Sequence, residues 1–235
     1  IKPVVLELGG KNPMIVFADA DLDRAAFDAV DGAFGNSGQV CSSSSRLLLQ
    51  KSIREPFLER LAAHAAKLTL GPGVDDRDLG PVVSDEQYRK VTDYLAKGQA
   101  EGARLRFGGG RPQDLNRGYF VSPTIFDQVA PDHAIAREEI FGPVAVAVDF
   151  ETEDEALALA NGLGYGLVAG VYSQDISRAM RLAQRIEAGS IWINGWFIGG
   201  VQAPTGGIKD SGIGRERGLP GIRNYLSIKN IGIRL

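Results

Sequence analysis

The only cysteine of this chain, Cys41, is the residue whose type could most directly carry out covalent chemistry. A carboxylate, Glu7, lies 34 residues before it. A thiolate can attack an electrophilic carbon, and a carboxylate can act as a base toward the thiol or toward a water molecule. A lone cysteine is also common as a small buried hydrophobic residue. The residue types alone therefore leave both interpretations of Cys41 open.

Six short motifs include these two residues and follow one another along most of the chain. They are ELGGK at 7–11, FGNSGQVC at 34–41, EEIFGPV at 138–144, NGLGYGL at 161–167, GSIWIN at 189–194 and GGIKDSGIGRE at 206–216. Their order and spacing resemble the aldehyde dehydrogenase superfamily over residues 4–229. The resemblance implies that a cysteine adds to an aldehyde to give a thiohemiacetal, that a hydride leaves to a nicotinamide, and that the resulting thioester is hydrolysed.

The resemblance also implies a role for each catalytic candidate. Cys41 would be the nucleophile, and Glu7 the general base for the water that releases the acid. The Cys41 amide is a candidate donor to the tetrahedral oxyanion. Glu216 resembles a second acid near the base that relays protons. A salt bridge with Arg215 or Arg217 is an equal alternative for the Glu216 side chain.

NAD or NADP is the cofactor that the resemblance implies. Glu139 resembles the residue that binds the ribose hydroxyls beside the nicotinamide. A carboxylate suits a diol because it can accept two charge-assisted hydrogen bonds. Phe141 is expected near the ring, and Leu8 and Gly9 complete the predicted cofactor contacts.

Five residues are expected to line the substrate tunnel, and they are Val40, Ser42, Trp196, Phe197 and Thr205. Val40 and Ser42 flank the thiol. Many members of the resembled family carry an aromatic residue directly before the Gly-Gly pair, where this chain has Thr205, so one wall of the usual aromatic box is absent. Trp196 favours an apolar or aromatic aldehyde over a highly charged one.

Helical and strand patterns alternate along the chain, which predicts an α/β fold with a largely parallel, open, twisted sheet flanked by helices. Helices are predicted at 21–34, 54–68, 84–99, 152–161 and 176–186, with a short one after 218. Strands are predicted at 4–8, 46–50, 103–107, 144–150, 168–172, 190–194 and 226–235. Ser84 and Gln87 are predicted to form a capping box at a helix start.

Residues 1–225 are predicted to form a catalytic domain, with residues 1–10 as the end of a cofactor-binding half. The glycines at 108–110 are followed by Arg-Pro, so they do not form a phosphate loop between a strand and a helix. We therefore expect the isolated chain to bind NAD(P) weakly. The strand at 226–235 either pairs with a neighbouring subunit of a dimer or tetramer, as the resemblance implies, or is an edge strand of the same domain.

The composition excludes several other classes of protein. A net charge of −3 argues against a nucleic-acid partner, and the absence of an apolar run of 18 residues argues against a membrane span. One cysteine excludes an intrachain disulfide and fits a reducing cytosol, so a cytoplasmic protein is expected. His64 and His133 lack metal-ligand spacing, so no metal site is predicted.

Two other functions remain open at this point. A cofactor-free thiol esterase would need only Cys41 and a base. A non-enzymatic oligomeric module would use the fold and its last strand, and it would require neither Cys41 nor Glu7. The presence of both residues in the chain favours an enzyme.

Overall fold

A seven-stranded sheet forms the centre of the computed structural model, which describes residues 2–235. From one edge to the other its strands are β4 (Arg104–Phe107), β5 (Thr124–Asp127), β6 (Val144–Phe150), β3 (Arg46–Gln50), β2 (Pro13–Val16), β8 (Val168–Tyr172) and β9 (Ser190–Ile193), numbered in chain order. Every neighbouring pair is parallel except β4 with β5. The predicted α/β fold with a largely parallel sheet is confirmed.

Four short strands form two antiparallel pairs beside the main sheet. β1 (Leu6–Glu7) pairs with β11 (Gly212–Ile213), and β7 (Tyr165–Gly166) pairs with β10 (Ile208–Lys209). These pairs bring the glycine-rich segment at 206–216 against the start of the chain. They therefore determine where Glu7 lies.

Seven α-helices lie within residues 2–235, and the first six contribute side chains to the apolar cores on the two faces of the sheet. They are α1 (Leu22–Phe34), α2 (Arg54–Ala65), α3 (Asp85–Ala100), α4 (Ala134–Arg137), α5 (Glu153–Asn161), α6 (Ile176–Arg185) and α7 (Gly218–Arg223). Successive side chains of a strand point to opposite faces, so Leu47 packs with α1 and α2 while Leu48 packs with α3, α5 and α6. The sheet thus has an apolar core on each side.

Most predicted elements begin and end within a few residues of their predicted bounds. Two strands of the main sheet, β2 and β5, were not predicted, and neither were α4 and the short strands β7, β10 and β11. β2 and β5 have four residues each and are fully buried, so neither shows the alternation that identifies a half-buried strand. The strand predicted at 4–8 is reduced to the two residues of β1, because only these pair with β11.

The predicted capping box at α3 is only half correct. Ser84 Oγ accepts a hydrogen bond from the Gln87 amide at 3.1 Å, as an N-cap should. The Gln87 side chain does not return to the helix start, since its Nε2 donates to the carbonyls of Ile140 and Phe141 at 3.0 and 2.7 Å. Gln87 therefore supports the loop before β6.

Residues 226–235 form no strand with any other described part of the chain. The alternative that this segment is an edge strand of its own domain is therefore wrong. Its apolar side chains are exposed, and Ile228 and Leu235 have no measurable burial. Pairing with a neighbouring subunit stays a prediction.

Within residues 2–235 the structure contains no helix with the length and apolar character that a membrane crossing requires. The same residues contain no cluster of three or more His, Cys, Asp or Glu side chains suited to a metal ion. His64 lies in α2 and His133 immediately before α4, far apart in the sequence.

Candidate active site

The order of the strands brings three predicted site residues together at the end of the sheet where β2, β3 and β6 begin. Glu7, Cys41 and Glu139 lie shortly before β2, β3 and β6, which are consecutive neighbours in the sheet. Because these strands are parallel, the segments that precede them meet at the same end of the sheet. Positions 7, 41 and 139 are far apart in sequence, and the topology makes them neighbours.

Cys41 lies in a turn between α1 and β3, and the residue as a whole is exposed. Helix α1 ends at Phe34 and is followed by a short turn at Gly35–Gly38, in which Asn36 and Ser37 have positive φ angles of 51° and 56°. Local burial of the sulfur raises the pKa of Cys41, and the charges of Glu7 and Glu139 raise it further. The Ser42 amide lowers the same pKa because it stabilises the thiolate.

The Glu7 carboxylate is half-buried, and its Oε1 has no hydrogen-bond partner among the described residues. Burial raises the pKa of Glu7, and so does the charge of Glu216. The Gly207 amide and Arg215 lower it, but the net direction is upward. A carboxylate with a raised pKa and free acceptor capacity is suited to take a proton.

Glu216 lies opposite Thr205, and their backbones exchange two hydrogen bonds of 2.9 and 2.8 Å. Glu216 is exposed, and the structure shows no salt bridge from it to Arg215, Arg217 or any other described residue. Arg215 donates instead to the carbonyls of Gly207 and Gly214. Glu216 acts on Glu7 through its charge.

Glu139 contacts the segment that follows Glu7. Its Oε1 accepts a hydrogen bond from the Gly10 amide at 2.9 Å. A Cβ atom added at Gly9 would lie 2.5 Å from the other carboxylate oxygen, so Gly9 permits this approach. Ser211 fixes the segment from the other side, because its Oγ donates to the Gly9 carbonyl at 2.7 Å.

The other two predicted cofactor contacts are Leu8 and Phe141. Leu8 is exposed, and its amide donates to the Ser211 carbonyl at 3.0 Å. Phe141 has a positive φ of 58° and is held through its carbonyl by Gln87. Both lie on the segments that bear Glu7 and Glu139.

Three of the five predicted substrate-lining residues border one cavity of about 350 Å³. Ser42, Phe197 and Thr205 line it together with Trp192 and Arg217. Trp192 and Phe197 are in edge-to-face contact with ring centroids 5.7 Å apart, which gives the cavity an aromatic wall. The sequence did not identify Trp192 as a residue of the cavity wall, although Trp192 lies in the GSIWIN motif.

Val40 and Trp196 do not line this cavity. Val40 is half-buried and receives a backbone hydrogen bond from Ser43 at 3.0 Å. Trp196 is 6% exposed, and its Nε1 donates to the Ser42 carbonyl at 3.2 Å. The structure therefore gives Trp196 a supporting position beneath the thiol loop rather than a place in the cavity wall.

Lys11 is a buried cation that the sequence did not single out. The residue is 1% exposed, and its Nζ has no hydrogen-bond partner among residues 2–235. Burial, followed by the charge of Arg46, lowers the pKa of Lys11 to about 7, although Glu139 and Glu138 oppose the shift. Burying this group in its charged form therefore costs free energy of folding.

Replacing Lys11 with methionine should stabilise the protein most at or below pH 7. Between pH 7 and the ordinary pKa of 10.5, the unfolded chain binds the Lys11 proton and the folded chain does not. The free energy of unfolding of the natural chain then rises with pH, by up to about 1.4 kcal/mol per unit. The advantage of Lys11→Met should shrink from pH 7 to pH 9 in chemical denaturation. Parallel pH dependences of the two chains would contradict this prediction.

The fold and the site together define an α/β protein with one exposed thiol and two carboxylates at the end of a parallel sheet where its strands begin. Residues 1–231 match the sequence profile described as "Aldehyde dehydrogenase family". The chain belongs to the aldehyde dehydrogenase family, as the resemblance of its motifs indicated.

Curated relatives and solved structures agree with this assignment. The betaine aldehyde dehydrogenase of Rhizobium leguminosarum bv. trifolii is 47% identical over 98% of this chain and 48% of its own length. The betaine aldehyde dehydrogenase of Staphylococcus aureus, solved with NAD⁺, has a TM-score of 0.91 at 45% identity over 95% of this chain and 45% of that chain. An indole-3-acetaldehyde dehydrogenase solved with NAD⁺ has a TM-score of 0.96 at 41% identity over 100% of this chain and 48% of that chain. The chain spans about half the length of these relatives.

Proposed function

We propose that this chain carries the catalytic thiol of an NAD(P)-dependent aldehyde dehydrogenase, which oxidises an aldehyde to a carboxylic acid. The observation that carries the proposal is that Cys41, Glu7 and Glu139 lie together at the end of the sheet where β3, β2 and β6 begin. Membership of the aldehyde dehydrogenase family supports the same reaction.

In this mechanism the Cys41 sulfur attacks the aldehyde carbon and forms a thiohemiacetal. The backbone amide of Cys41 is a candidate donor to the oxygen that becomes negative. Loss of hydride gives a thioester on Cys41. Glu7 takes a proton from water, which attacks the thioester and releases the acid and the thiol. Glu216 raises the basicity of Glu7 through its charge. In the proposed mechanism it also relays the proton onward.

The residues present fit the nicotinamide end of a dinucleotide. Glu139 offers a carboxylate beside the two glycines that follow Leu8, so its oxygens could accept hydrogen bonds from ribose hydroxyls. A bound NAD(P)⁺ would supply the hydride acceptor for the oxidation. Leu8, Gly9 and Phe141 would be the remaining contacts from this chain.

The aldehyde is proposed to enter the cavity beside Ser42. Trp192 and Phe197 favour an apolar or aromatic group, or a quaternary ammonium group through cation–π contact. Thr205 leaves room beside them. Relatives named for betaine aldehyde and for indole-3-acetaldehyde make these two compounds the first to test.

We also propose a homo-oligomer in which residues 226–235 pair with a neighbouring subunit. Their exposed apolar side chains and unpaired backbone support this role. Because the reaction needs a free thiol, a reducing compartment such as the cytoplasm suits it.

The test is the formation of reduced nicotinamide from NAD⁺ and NADP⁺ over a panel of aldehydes that includes these two. It should be run on this chain and on the chain fused behind the amino-terminal half of the Rhizobium relative. We expect reduced nicotinamide to form in the fusion with at least one aldehyde of the panel. A correctly folded fusion that forms no reduced nicotinamide with any aldehyde would overturn the proposal.

A further inference from the structure

Three consecutive carbonyl groups of the thiol loop accept hydrogen bonds from side chains outside the loop. Asn12 Nδ2 donates to the carbonyls of Cys41 and Ser43, both at 2.8 Å. Trp196 Nε1 donates to the intervening Ser42 carbonyl at 3.2 Å. Two side chains from remote segments therefore determine the backbone orientation directly after the nucleophile.

The two donors are themselves fixed in place. Asn12 is 2% exposed, and its Oδ1 accepts a hydrogen bond from the Val168 amide at 3.2 Å. Since that amide can only donate, the Asn12 oxygen must face Val168 and its nitrogen must face the loop. Trp196 packs against Gly32 and Gly170, where an added Cβ would lie 2.8 and 2.7 Å from the indole.

Fixing a carbonyl also fixes the amide of the same peptide unit, because a trans peptide is planar and its N–H points opposite its C=O. The Ser43 amide donates to the Val40 carbonyl at 3.0 Å, and the Ser44 amide donates to the Gly32 carbonyl at 3.0 Å. The remaining amide of the three, that of Ser42, donates to no backbone carbonyl among residues 2–235.

The Ser42 amide belongs to the peptide whose carbonyl faces Asn12, so it points away from Asn12. The Cys41 sulfur and the Ser42 nitrogen are neighbours through the covalent structure of Cys41. The Ser42 amide lowers the pKa of Cys41, and so does the amide of Cys41 itself. The charged groups that face the thiol, Glu7 and Glu139, act in the opposite direction. The amide is thus a neutral group in position to offset two negative charges.

We infer that Asn12 is a positioning residue, which holds the Cys41–Ser42 peptide so that the Ser42 N–H donates to the Cys41 thiolate. Asn12 touches neither the sulfur nor a substrate and acts through the backbone. The catalytic meaning of this role rests on the proposed function, in which Cys41 is the nucleophile. The reactivity of the thiol can be measured without that function.

The experiment is the rate of alkylation of Cys41 by iodoacetamide as a function of pH, which is specific because the chain has one cysteine. Asn12→Leu keeps the side-chain volume and removes both donated hydrogen bonds. Loss of a hydrogen bond to a charged group disfavours the thiolate relative to the thiol. We therefore expect the midpoint of the pH profile to rise by about one unit and the rate at pH 7 to fall about tenfold.

Two further variants make the result decisive. Asn12→Ser keeps a hydroxyl that can donate to one carbonyl only, so its midpoint should lie between those of Asn12→Leu and the natural chain. Tyr172→Phe is the matched control, because it removes a buried hydrogen bond to Asp28 of 2.9 Å from the same sheet without touching the loop. Its alkylation profile should be that of the natural chain.

Thermal unfolding of each variant verifies that it is folded, and Asn12→Ser decides the question if Asn12→Leu does not fold. A folded Asn12 variant with an unchanged midpoint would overturn the inference. An equal shift in Tyr172→Phe would also overturn it, because the effect would then be general loosening of the sheet. Both outcomes are independent of whether any aldehyde is oxidised.

Discussion

The Cys41→Ala variant is expected to lose aldehyde oxidation by at least about 10³-fold, the scale of loss when a covalent nucleophile is removed. The chain has no second cysteine that could replace the thiol. Without the sulfur no thiohemiacetal forms, and the hydride has no covalent intermediate from which to leave. The measurement is reduced-nicotinamide formation by the fusion with the amino-terminal half of the Rhizobium relative, at saturating aldehyde.

The same variant should lose the hydrolysis of p-nitrophenyl acetate, which needs no cofactor and can be followed with the isolated chain. Cys41→Ser is the matched comparison, since a hydroxyl retains the shape of the thiol and is a much weaker nucleophile at neutral pH. Cys41 is exposed, so neither change should lower the melting temperature appreciably. Oxidation at the natural rate in Cys41→Ala would remove Cys41 from the mechanism.

A second large effect is expected from Glu7→Gln, which keeps the shape of the side chain and removes the base. General-base catalysis typically contributes about 10²–10⁴-fold, so the steady-state rate of acid formation should fall by that order. Attack by Cys41 precedes the step that Glu7 assists. A rapid burst of reduced nicotinamide, close to one per thiol, should therefore precede the slow steady state.

The pH dependence of the steady-state rate provides a further check on Glu7. Burial and the charge of Glu216 raise the pKa of Glu7, so the natural rate should fall as the pH drops through a value above that of an ordinary glutamate. Glu7→Gln should lack this acidic limb. Glu216→Gln should keep it at a lower pH, because a negative charge near Glu7 has been removed. An undiminished steady state in Glu7→Gln would contradict the assignment of the base.

Local patterns in the sequence were sufficient for most of the fold. α1, β3, β6, β8 and α6 were placed within a residue or two, because helical or strand periodicity extends over each element. β2 and β5 were missed because each is a short, fully buried run without alternation of polar and apolar residues. β2 has no polar side chain, and the two polar residues of β5, Thr124 and Asp127, lie at its ends on opposite faces. The central position of β2 depends on its neighbours β3 and β8, which are far from it in sequence.

The sequence by itself identified which thiol and which carboxylates are candidates for the site. Cys41, Glu7 and Glu139 were identified because each lies in a motif with the composition and order of the aldehyde dehydrogenase family. Such motifs carry information about residue type and local backbone. They do not state which groups from other motifs lie within hydrogen-bond distance.

Only the tertiary structure decided which residues hold these groups in place. Asn12 meets the Cys41 carbonyl 29 residues away, and Trp196 meets the Ser42 carbonyl 154 residues away. Trp196 was expected in the substrate tunnel, yet it is buried beneath the loop. A hydrogen bond depends on distance and direction to within a few tenths of an ångström, and contacts this remote in sequence are fixed by the packing of the whole sheet rather than by any local pattern.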